Sequence, residues 1–222
     1  MKVIYEDNHI IIVETPFNIP VQADSSKDKD LLNMVKAYVK KKYDKPGEVF
    51  IGLVHRLDRP VGGVMVFART SKGASRLSEQ VRNRSFKKTY LAVIEGSMEK
   101  KTGLLKDYLL KDNNKNVVKV TEPDVEGSKQ AILEYEVLQE RGNISLVKVD
   151  LKTGRPHQVR VQFSSRGCPL FGDVKYGAKN KADKIALWSY ELGIAHPTTK
   201  EELKFKIAPP KEKPWNLFRV KL

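Results

Sequence analysis

The segment HRLDRP places one carboxylate between two arginines. It contains, in order, His55, Arg56, Asp58 and Arg59. A carboxylate can act as a nucleophile or as a general base. Apolar runs of strand length lie on both sides of the segment, which predicts a charged loop between two buried strands. Such a loop is a common way to present a reactive group, although a surface ion pair at Asp58 fits this segment equally well.

A second group of polar residues lies in GRPHQVR, residues 154–160. Pro156 is typical of the first helical position, so a helix is predicted to begin there, with Arg155 beside backbone donors that favour anions. The guanidinium of Arg155 can bind a phosphate or hold a carboxylate in bidentate fashion. We expect His157 and Gln158 to orient this turn rather than to transfer protons.

Several other chemistries find no support. The phosphate-binding loop, the dinucleotide-binding turn and the nucleophile elbow are absent from the sequence. The histidines are not spaced as metal ligands, and a metal site at His55 and Asp58 has no evident third ligand. Cys168 is alone, which excludes an intrachain disulfide and a cysteine zinc cage and makes a reducing cytoplasm the expected location. Neither a transmembrane helix nor a signal peptide is predicted.

The charge of the chain indicates a polyanionic partner. Lys and Arg total 41 against 27 acidic residues, a net charge of +14. Nucleic acid is the leading class of partner, although an acidic membrane surface or a generally basic proteome also fits. Residues 69–88 hold seven basic residues and one acid, Glu79. Because a solvated helix face normally mixes the two signs, this bias favours phosphate binding, with Arg82, Arg84 and Lys87 as the candidates.

The hydrophobic pattern predicts an α+β fold with a large, mixed but mostly antiparallel sheet, flanked by helices and loops, in a single domain over residues 1–222. Helices are predicted over 28–42, from Ser71 as N-cap to about residue 83, and from Pro156. A turn at 112–114 joins two predicted strands. Other strands are predicted at 3–5, 10–13, 49–54, 64–68, 86–96, 131–138, 144–151, 185–194 and 203–207.

In the third predicted helix, alternation of apolar and polar residues suggests two faces. Val159 and Phe163 are expected to point inward, and Arg160 and Gln162 to lie elsewhere. Tyr90, in the segment KKTY, shares one strand face with Ala92. By itself Tyr90 fits an amphipathic core residue whose hydroxyl is satisfied.

Considered together, these motifs resemble the RluA-type family of RNA pseudouridine synthases. The resemblance rests on HRLDRP followed by GG, on KKTYLAV, LKTGRPHQVR and GCPLFGDVKYG, and on a later LW and HP. It runs from about Tyr5 to Pro197. The order and spacing of HRLD and GRPHQVR make it highly specific.

The resemblance implies an enzyme that isomerises uridine to pseudouridine in rRNA or tRNA. It implies that Asp58 is the catalytic aspartate, that Tyr90 stacks on the target base and that Arg155 pairs with the aspartate. Arg56 matches the arginine that, in at least some members of the family, enters the RNA helix where the base leaves. The other candidate RNA-binding residues are His55, Arg59, His157 and Gln158, together with Arg82, Arg84 and Lys87 from the basic segment. A cytoplasmic monomer without metal, cofactor, obligate protein partner or separate S4-type RNA-binding domain is expected.

The sequence departs from the family pattern at two loops. Val61 and Gly62 stand where a threonine and a serine are usual, and Pro156 stands where a threonine is usual. These changes remove side-chain hydroxyls that could form hydrogen bonds in the loops, and they leave Asp58 and Tyr90 in place. Two alternatives stay open: a catalytically idle RNA-binding or chaperone protein on the same fold, and a metal-dependent nuclease that uses Asp58 and His55.

Overall fold

The computed structural model describes residues 1–220. In chain order the elements are β1 (Lys2–Glu6), β2 (Ile10–Thr15), α1 (Leu31–Lys42), β3 (Gly52–Leu53), β4 (Gly62–Ala68), α2 (Ser71–Arg82), β5 (Lys87–Glu95), β6 (Thr102–Asp112), β7 (Val117–Thr121), β8 (Lys129–Arg141), β9 (Ile144–Leu151), α3 (Gln158–Ser164), β10 (Leu187–Ala195) and β11 (Glu202–Lys206). Short 3₁₀ turns lie at Val174–Tyr176 and Trp215–Leu217. No described helix is long and apolar enough to cross a membrane.

The chain forms two compact units. Unit 1 comprises Met1–Lys87 and Ser189–Ile207, and unit 2 comprises Lys88–Trp188 and the residues from Ala208 onward. The expectation of one domain over the whole chain stays a prediction.

Unit 1 is organised around β4, whose seven residues are all buried. It pairs antiparallel with β2, so that Ile12 lies opposite Val66, and it also pairs with the short β3. Helix α2 covers this sheet through the fully buried Leu77. Gly63 has a φ of +122°, and a Cβ there would lie 2.2 Å from the carbonyl oxygen of Ser189. Only glycine therefore allows the close approach of β4 and β10 at this point.

Unit 2 is an antiparallel sheet in the order β5-β9-β8-β6-β7. Helix α3 packs on one face of it. Phe163 of α3 meets Tyr135 of β8 with ring centroids 5.8 Å apart. Val161 packs in a buried cluster with Leu109, Val118 and other residues of the sheet. The predicted α+β class with mostly antiparallel strands is confirmed.

Three helix starts differ from the prediction. Helix α1 begins at Leu31, because Asp30 accepts the amide of Asn33 as N-cap. The N-cap of α2 is Thr70 rather than Ser71, and its side chain accepts a hydrogen bond from Gly73 at 3.0 Å. Helix α3 begins only at Gln158.

Two burial predictions are also wrong. Arg160 and Gln162 lie in the interior together with the apolar residues of α3. Carboxylates from other segments accept hydrogen bonds from the Arg160 guanidinium and from the side-chain nitrogen of Gln162. The run 49–54 is a strand only at Gly52–Leu53, and Phe50 is 51% exposed. The predicted turn at 112–114 is confirmed between β6 and β7.

Candidate active site

Asp58 lies in the loop of unit 1 that joins β3 to β4. The amide of Val61 donates a hydrogen bond to the Asp58 carbonyl at 2.8 Å and closes a tight turn over Arg59 and Pro60. Leu57 is buried, whereas Arg56 is exposed and Asp58 partly exposed. The buried leucine anchors the loop, and the turn presents the carboxylate at its bend.

His55 connects the start of this loop to β4. Its Nε2 accepts a hydrogen bond from the amide of Val66 at 3.2 Å. Its ring packs against Phe86 with centroids 5.0 Å apart. Through these two contacts His55 positions the start of the loop. The role of His55 in RNA binding stays a prediction.

The two arginines beside Asp58 differ in their ion-pair partners. Arg59 forms ion pairs with Asp28 and, at 3.7 Å, with Asp24. Its hydrogen bond is the main cause that lowers the pKa of Asp28. Arg56 is exposed and makes no hydrogen bond or ion pair with any described residue. Of the two, Arg56 is the one whose guanidinium is available to a ligand.

The basic residues Arg82, Arg84 and Lys87 follow one another from the end of α2 to the start of β5, and all three are exposed. Within residues 1–220 none of them has an ion-pair partner. Arg76, on the same helix, is instead bonded to the carbonyl oxygen of Pro197 at 2.7 Å. Unit 1 therefore has three solvent-exposed cations on one short segment, and their role in phosphate binding stays a prediction.

Tyr90 lies on β5 of unit 2, opposite Val149, and is 7% exposed. Lys88, two residues earlier, lies on the same side of the strand. A Cβ on Gly154 would lie 3.1 Å from the Lys88 ammonium nitrogen, so the ammonium lies against the turn that precedes Arg155. Burial lowers the pKa of Lys88. The sequence analysis missed Lys88, although its spacing from Tyr90 in KKTY could have indicated it.

Arg155 is positioned by Gln158, which is 3% exposed. The side-chain oxygen of Gln158 accepts hydrogen bonds from the Thr153 hydroxyl at 2.8 Å and from the Arg155 amide at 3.0 Å, and its nitrogen donates to the Ile132 carbonyl at 3.1 Å. Arg155 Nε donates to the Gln130 carbonyl at 2.9 Å. Gln158 thus orients the turn, as expected, while its RNA-binding role and the pairing of Arg155 with Asp58 stay predictions.

Pro156 does not start a helix, because the backbone of the next residue adopts the left-handed conformation. His157 has a φ of 51°, and α3 begins one residue later. His157 Nδ1 lies 2.7 Å from the hydroxyl of Tyr176. The turn from Thr153 to His157 is therefore held by side-chain hydrogen bonds in addition to the backbone bond from the Gln158 amide to the Arg155 carbonyl at 3.2 Å.

A buried ion pair ties α3 to the GDVKYG segment. Arg160 donates through Nε and through a terminal nitrogen to the two oxygens of Asp173, at 2.7 and 2.8 Å. The side chains are 6% and 1% exposed. The Arg160 guanidinium also lies 4.9 Å above the ring of Tyr176. Sequence analysis did not find this pair, because its members belong to two motifs that the chain order alone does not bring together.

Each unit contributes chemistry of a different kind. Unit 1 presents a carboxylate on a tight turn, which suits a nucleophile or a base. Unit 2 presents a buried tyrosine, a lysine of lowered pKa and an oriented arginine, which suits an aromatic and anionic ligand. Within residues 1–220 no three His, Cys, Asp or Glu side chains form a group that could hold a metal ion.

Comparison with known proteins agrees with this arrangement. The sequence model of the family described as RNA pseudouridylate synthase matches residues 9–165, a range that includes Asp58, Tyr90 and Arg155. An uncharacterised RNA pseudouridine synthase of Aquifex aeolicus is 32% identical over 95% of this chain and 70% of its own length. A counterpart in Bacillus subtilis is 31% identical over 90% of this chain and 66% of its own length.

Two further proteins are similar in sequence or in fold. Ribosomal large subunit pseudouridine synthase D of Zymomonas mobilis is 29% identical over 96% of this chain and 70% of its own length. The structure of human RNA pseudouridylate synthase domain containing 4 superposes with a TM-score of 0.80 at 22% identity, over 95% of this chain and 89% of that one. The chain spans about two thirds of the length of its sequence relatives. The resemblance seen in the motifs is confirmed, and the chain belongs to the RNA pseudouridylate synthase family.

Proposed function

We propose that this protein isomerises uridine to pseudouridine in structured RNA, and that Asp58 is the catalytic carboxylate. The observation that carries the proposal is the carboxylate on the tight turn between β3 and β4, in a chain of this family. The relatives named as large-subunit pseudouridine synthases favour rRNA as the first substrate to test, with tRNA as the second.

The reaction breaks the N1–C1′ glycosidic bond, turns the detached base and joins C5 to C1′, after which the C5 proton is lost and N1 is protonated. No oxidant, reductant or second substrate enters this balance. Asp58 acts either as a nucleophile at C1′ or as a base that removes a sugar proton. The target uridine must leave its stack, which costs a few kcal/mol.

Two side chains offset that cost. The ring of Tyr90 provides a stacking surface for the extruded base, an interaction worth about 1–3 kcal/mol. The exposed Arg56 fills the space that the base leaves in the RNA helix. A cytoplasmic monomer that needs neither metal nor cofactor stays the prediction from the resemblance.

The decisive experiment compares pseudouridine maps of total RNA from cells with and without this gene. We expect one or a few uridines to lose the modification in the absence of the gene. Purified protein should restore them on an unmodified transcript in the presence of a chelator. RNA binding without any product at those sites would leave the idle RNA-binding protein as the better description, and activity that is abolished by the chelator would favour the metal-dependent alternative.

A further inference from the structure

Unit 2 carries a group of cations around His157 that no acidic side chain neutralises. Lys111, at the end of β6, and Lys175, in the 3₁₀ turn, are both exposed. Within residues 1–220 neither has an ion-pair partner. Some other exposed lysines of the same unit are paired, such as Lys101 with Glu140 and Lys152 with Glu134.

The register of the β6–β7 hairpin gives the direction of Lys111. It lies opposite Val118, and directly opposed residues project to the same face of a sheet. Val118 is buried on the face that α3 covers, in a cluster with Val161 and Tyr176. Lys111 therefore projects from the edge of that face, on the side of α3.

Tyr176 connects the three segments that carry the cations and His157. Its hydroxyl accepts a hydrogen bond from the Val118 amide at 2.9 Å and lies 2.7 Å from His157 Nδ1. Lys175 directly precedes Tyr176 in the chain. One hydroxyl thus fixes the strand opposite Lys111, the turn that holds Lys175 and the ring of His157.

His157 is presented as a neutral donor. Burial, followed by the positive charges of Arg160 and Lys175, lowers the pKa of His157 to about 4, and Lys111 contributes in the same direction. The Tyr176 hydroxyl, which already accepts from a backbone amide, can give its own proton to Nδ1, so that Nε2 carries the ring proton. No described residue bonds to Nε2.

The acids nearby are already in use. Asp173 accepts both hydrogen bonds of Arg160. Asp112, next to Lys111, accepts the amides of Asn114 and Lys115 at the hairpin turn. Lys111 and Lys175 therefore have no ion pair within residues 1–220 and can bind an anion from outside the chain.

We propose that Lys111, Lys175 and the Nε2–H of His157 form a binding site for one phosphodiester of the RNA backbone. The proposal rests on the proposed function and names a further part of the surface that binds RNA. His157 lies two residues after Arg155. A phosphate bound at His157 therefore lies close to any anionic group of the RNA that Arg155 binds.

The test compares two double variants that remove the same charge. Lys111→Ala with Lys175→Ala removes the site. Lys106→Ala with Lys119→Ala is the matched control, because both of these lysines are exposed, lack an ion-pair partner within residues 1–220 and project from the opposite face of the sheet. The probe is a fluorescein-labelled RNA stem-loop that contains uridine in its loop, and the measurement is its affinity over a series of salt concentrations.

We expect the site variant to flatten the slope of log K against log salt by about 0.7–0.9, since the site neutralises one phosphate and each neutralised phosphate contributes about that much. The control should keep the wild-type slope within error. His157→Asn tolerates the left-handed backbone and should weaken binding roughly tenfold without altering the slope, because the ring is uncharged.

Equal flattening in both double variants would overturn the site, because net charge alone would then explain it. A wild-type slope in the Lys111 and Lys175 variant would overturn it as well. Thermal unfolding of each variant confirms that the fold is retained. The wild-type protein is assayed in parallel for pseudouridine formation: absence of product in the wild type would defeat the proposed function, whereas the slopes decide the phosphate site separately.

Discussion

Unit 1 holds the second arginine of its HRLDRP loop at the surface, whereas unit 2 holds the last arginine of its GRPHQVR segment in the interior. Arg59 pairs with Asp28 while their side chains are 42% and 53% exposed. Arg160 pairs with Asp173 at 6% and 1% exposure. The residue types and the charges are the same, but water surrounds one pair and is excluded from the other.

The two pairs therefore have different energetic weight. An exposed ion pair stabilises a protein by about 0–1 kcal/mol, because water and salt screen it. Removing one partner of a buried pair costs about 3–5 kcal/mol, because a charge is left without compensation. The Asp58 loop is thus fixed mainly by buried Leu57 and its backbone turn, and the Arg155 turn by a network of buried polar side chains.

The largest effect is expected at the bend of the unit 1 loop. Asp58→Asn keeps the shape of the side chain and removes the charge. Pseudouridine formation should fall by roughly four orders of magnitude or more, equivalent to about 5.5 kcal/mol of barrier. The free energy of unfolding should change by about 1 kcal/mol or less, and RNA affinity should hardly change.

Rate measurements on a folded variant, with urea unfolding as the control, check this prediction. A folded Asp58→Asn protein that works near the wild-type rate would remove the carboxylate from the mechanism. Loss of folding would instead show that Asp58 is chiefly structural.

The next largest effect is expected in the interior of unit 2. Asp173→Ala leaves the Arg160 charge buried and unpaired, so unfolding should become easier by about 3–5 kcal/mol. The double variant Arg160→Met with Asp173→Leu removes both charges and should recover much of that loss. Urea unfolding midpoints provide the measurement. A loss below about 1 kcal/mol in Asp173→Ala would mean that the interior pair behaves like the surface pair.

Tyr90 tests what the buried side of unit 2 contributes to the reaction. Tyr90→Phe keeps the ring and loses the hydroxyl, so RNA affinity should persist while turnover falls by about a hundredfold, as expected when a proton-transfer group is removed. Tyr90→Ala should weaken engagement of the target base in addition. Separate kcat and KM values distinguish the two variants, and a wild-type kcat in Tyr90→Phe would exclude the hydroxyl from the mechanism.

The exposed cations of unit 1 should act through salt-dependent binding rather than through stability. Replacing Arg82, Arg84 and Lys87 by alanine should flatten the slope of log K against log salt by about 0.7–0.9 for each of the three that neutralises a phosphate. Unfolding should be nearly unchanged, because these side chains are exposed. An unchanged slope would place the RNA path elsewhere on the protein.

The smallest effect is expected at the surface pair. Asp28→Ala should change the free energy of unfolding least among these variants, because water and salt screen the exposed pair. The loss should shrink further in high salt, which screens exposed charges. The measurement is the urea midpoint at two salt concentrations. If Asp28→Ala destabilised the protein as much as Asp173→Ala does, the exposed and the buried ion pair would have the same energetic weight, contrary to the prediction.

The sequence alone led to the family of this protein and predicted much of its sheet. The motifs around Asp58, Tyr90 and Arg155 led to the family, because their order and spacing are specific. Strand β9 lies where the alternation predicts it, over Ile144–Leu151. Period-two patterns and turn residues are local features, so the sequence displays them directly.

Only the tertiary structure decided where the polar residues of α3 lie. Arg160 is buried because Asp173 reaches it from 13 residues away, and Gln162 because Asp107 reaches it from 55 residues away. The placement of Lys88 against Gly154 is of the same kind. Apolar residues are buried wherever a core forms, whereas Arg160 and Gln162 are buried beside partners that come from elsewhere in the chain, and a linear pattern does not contain those partners.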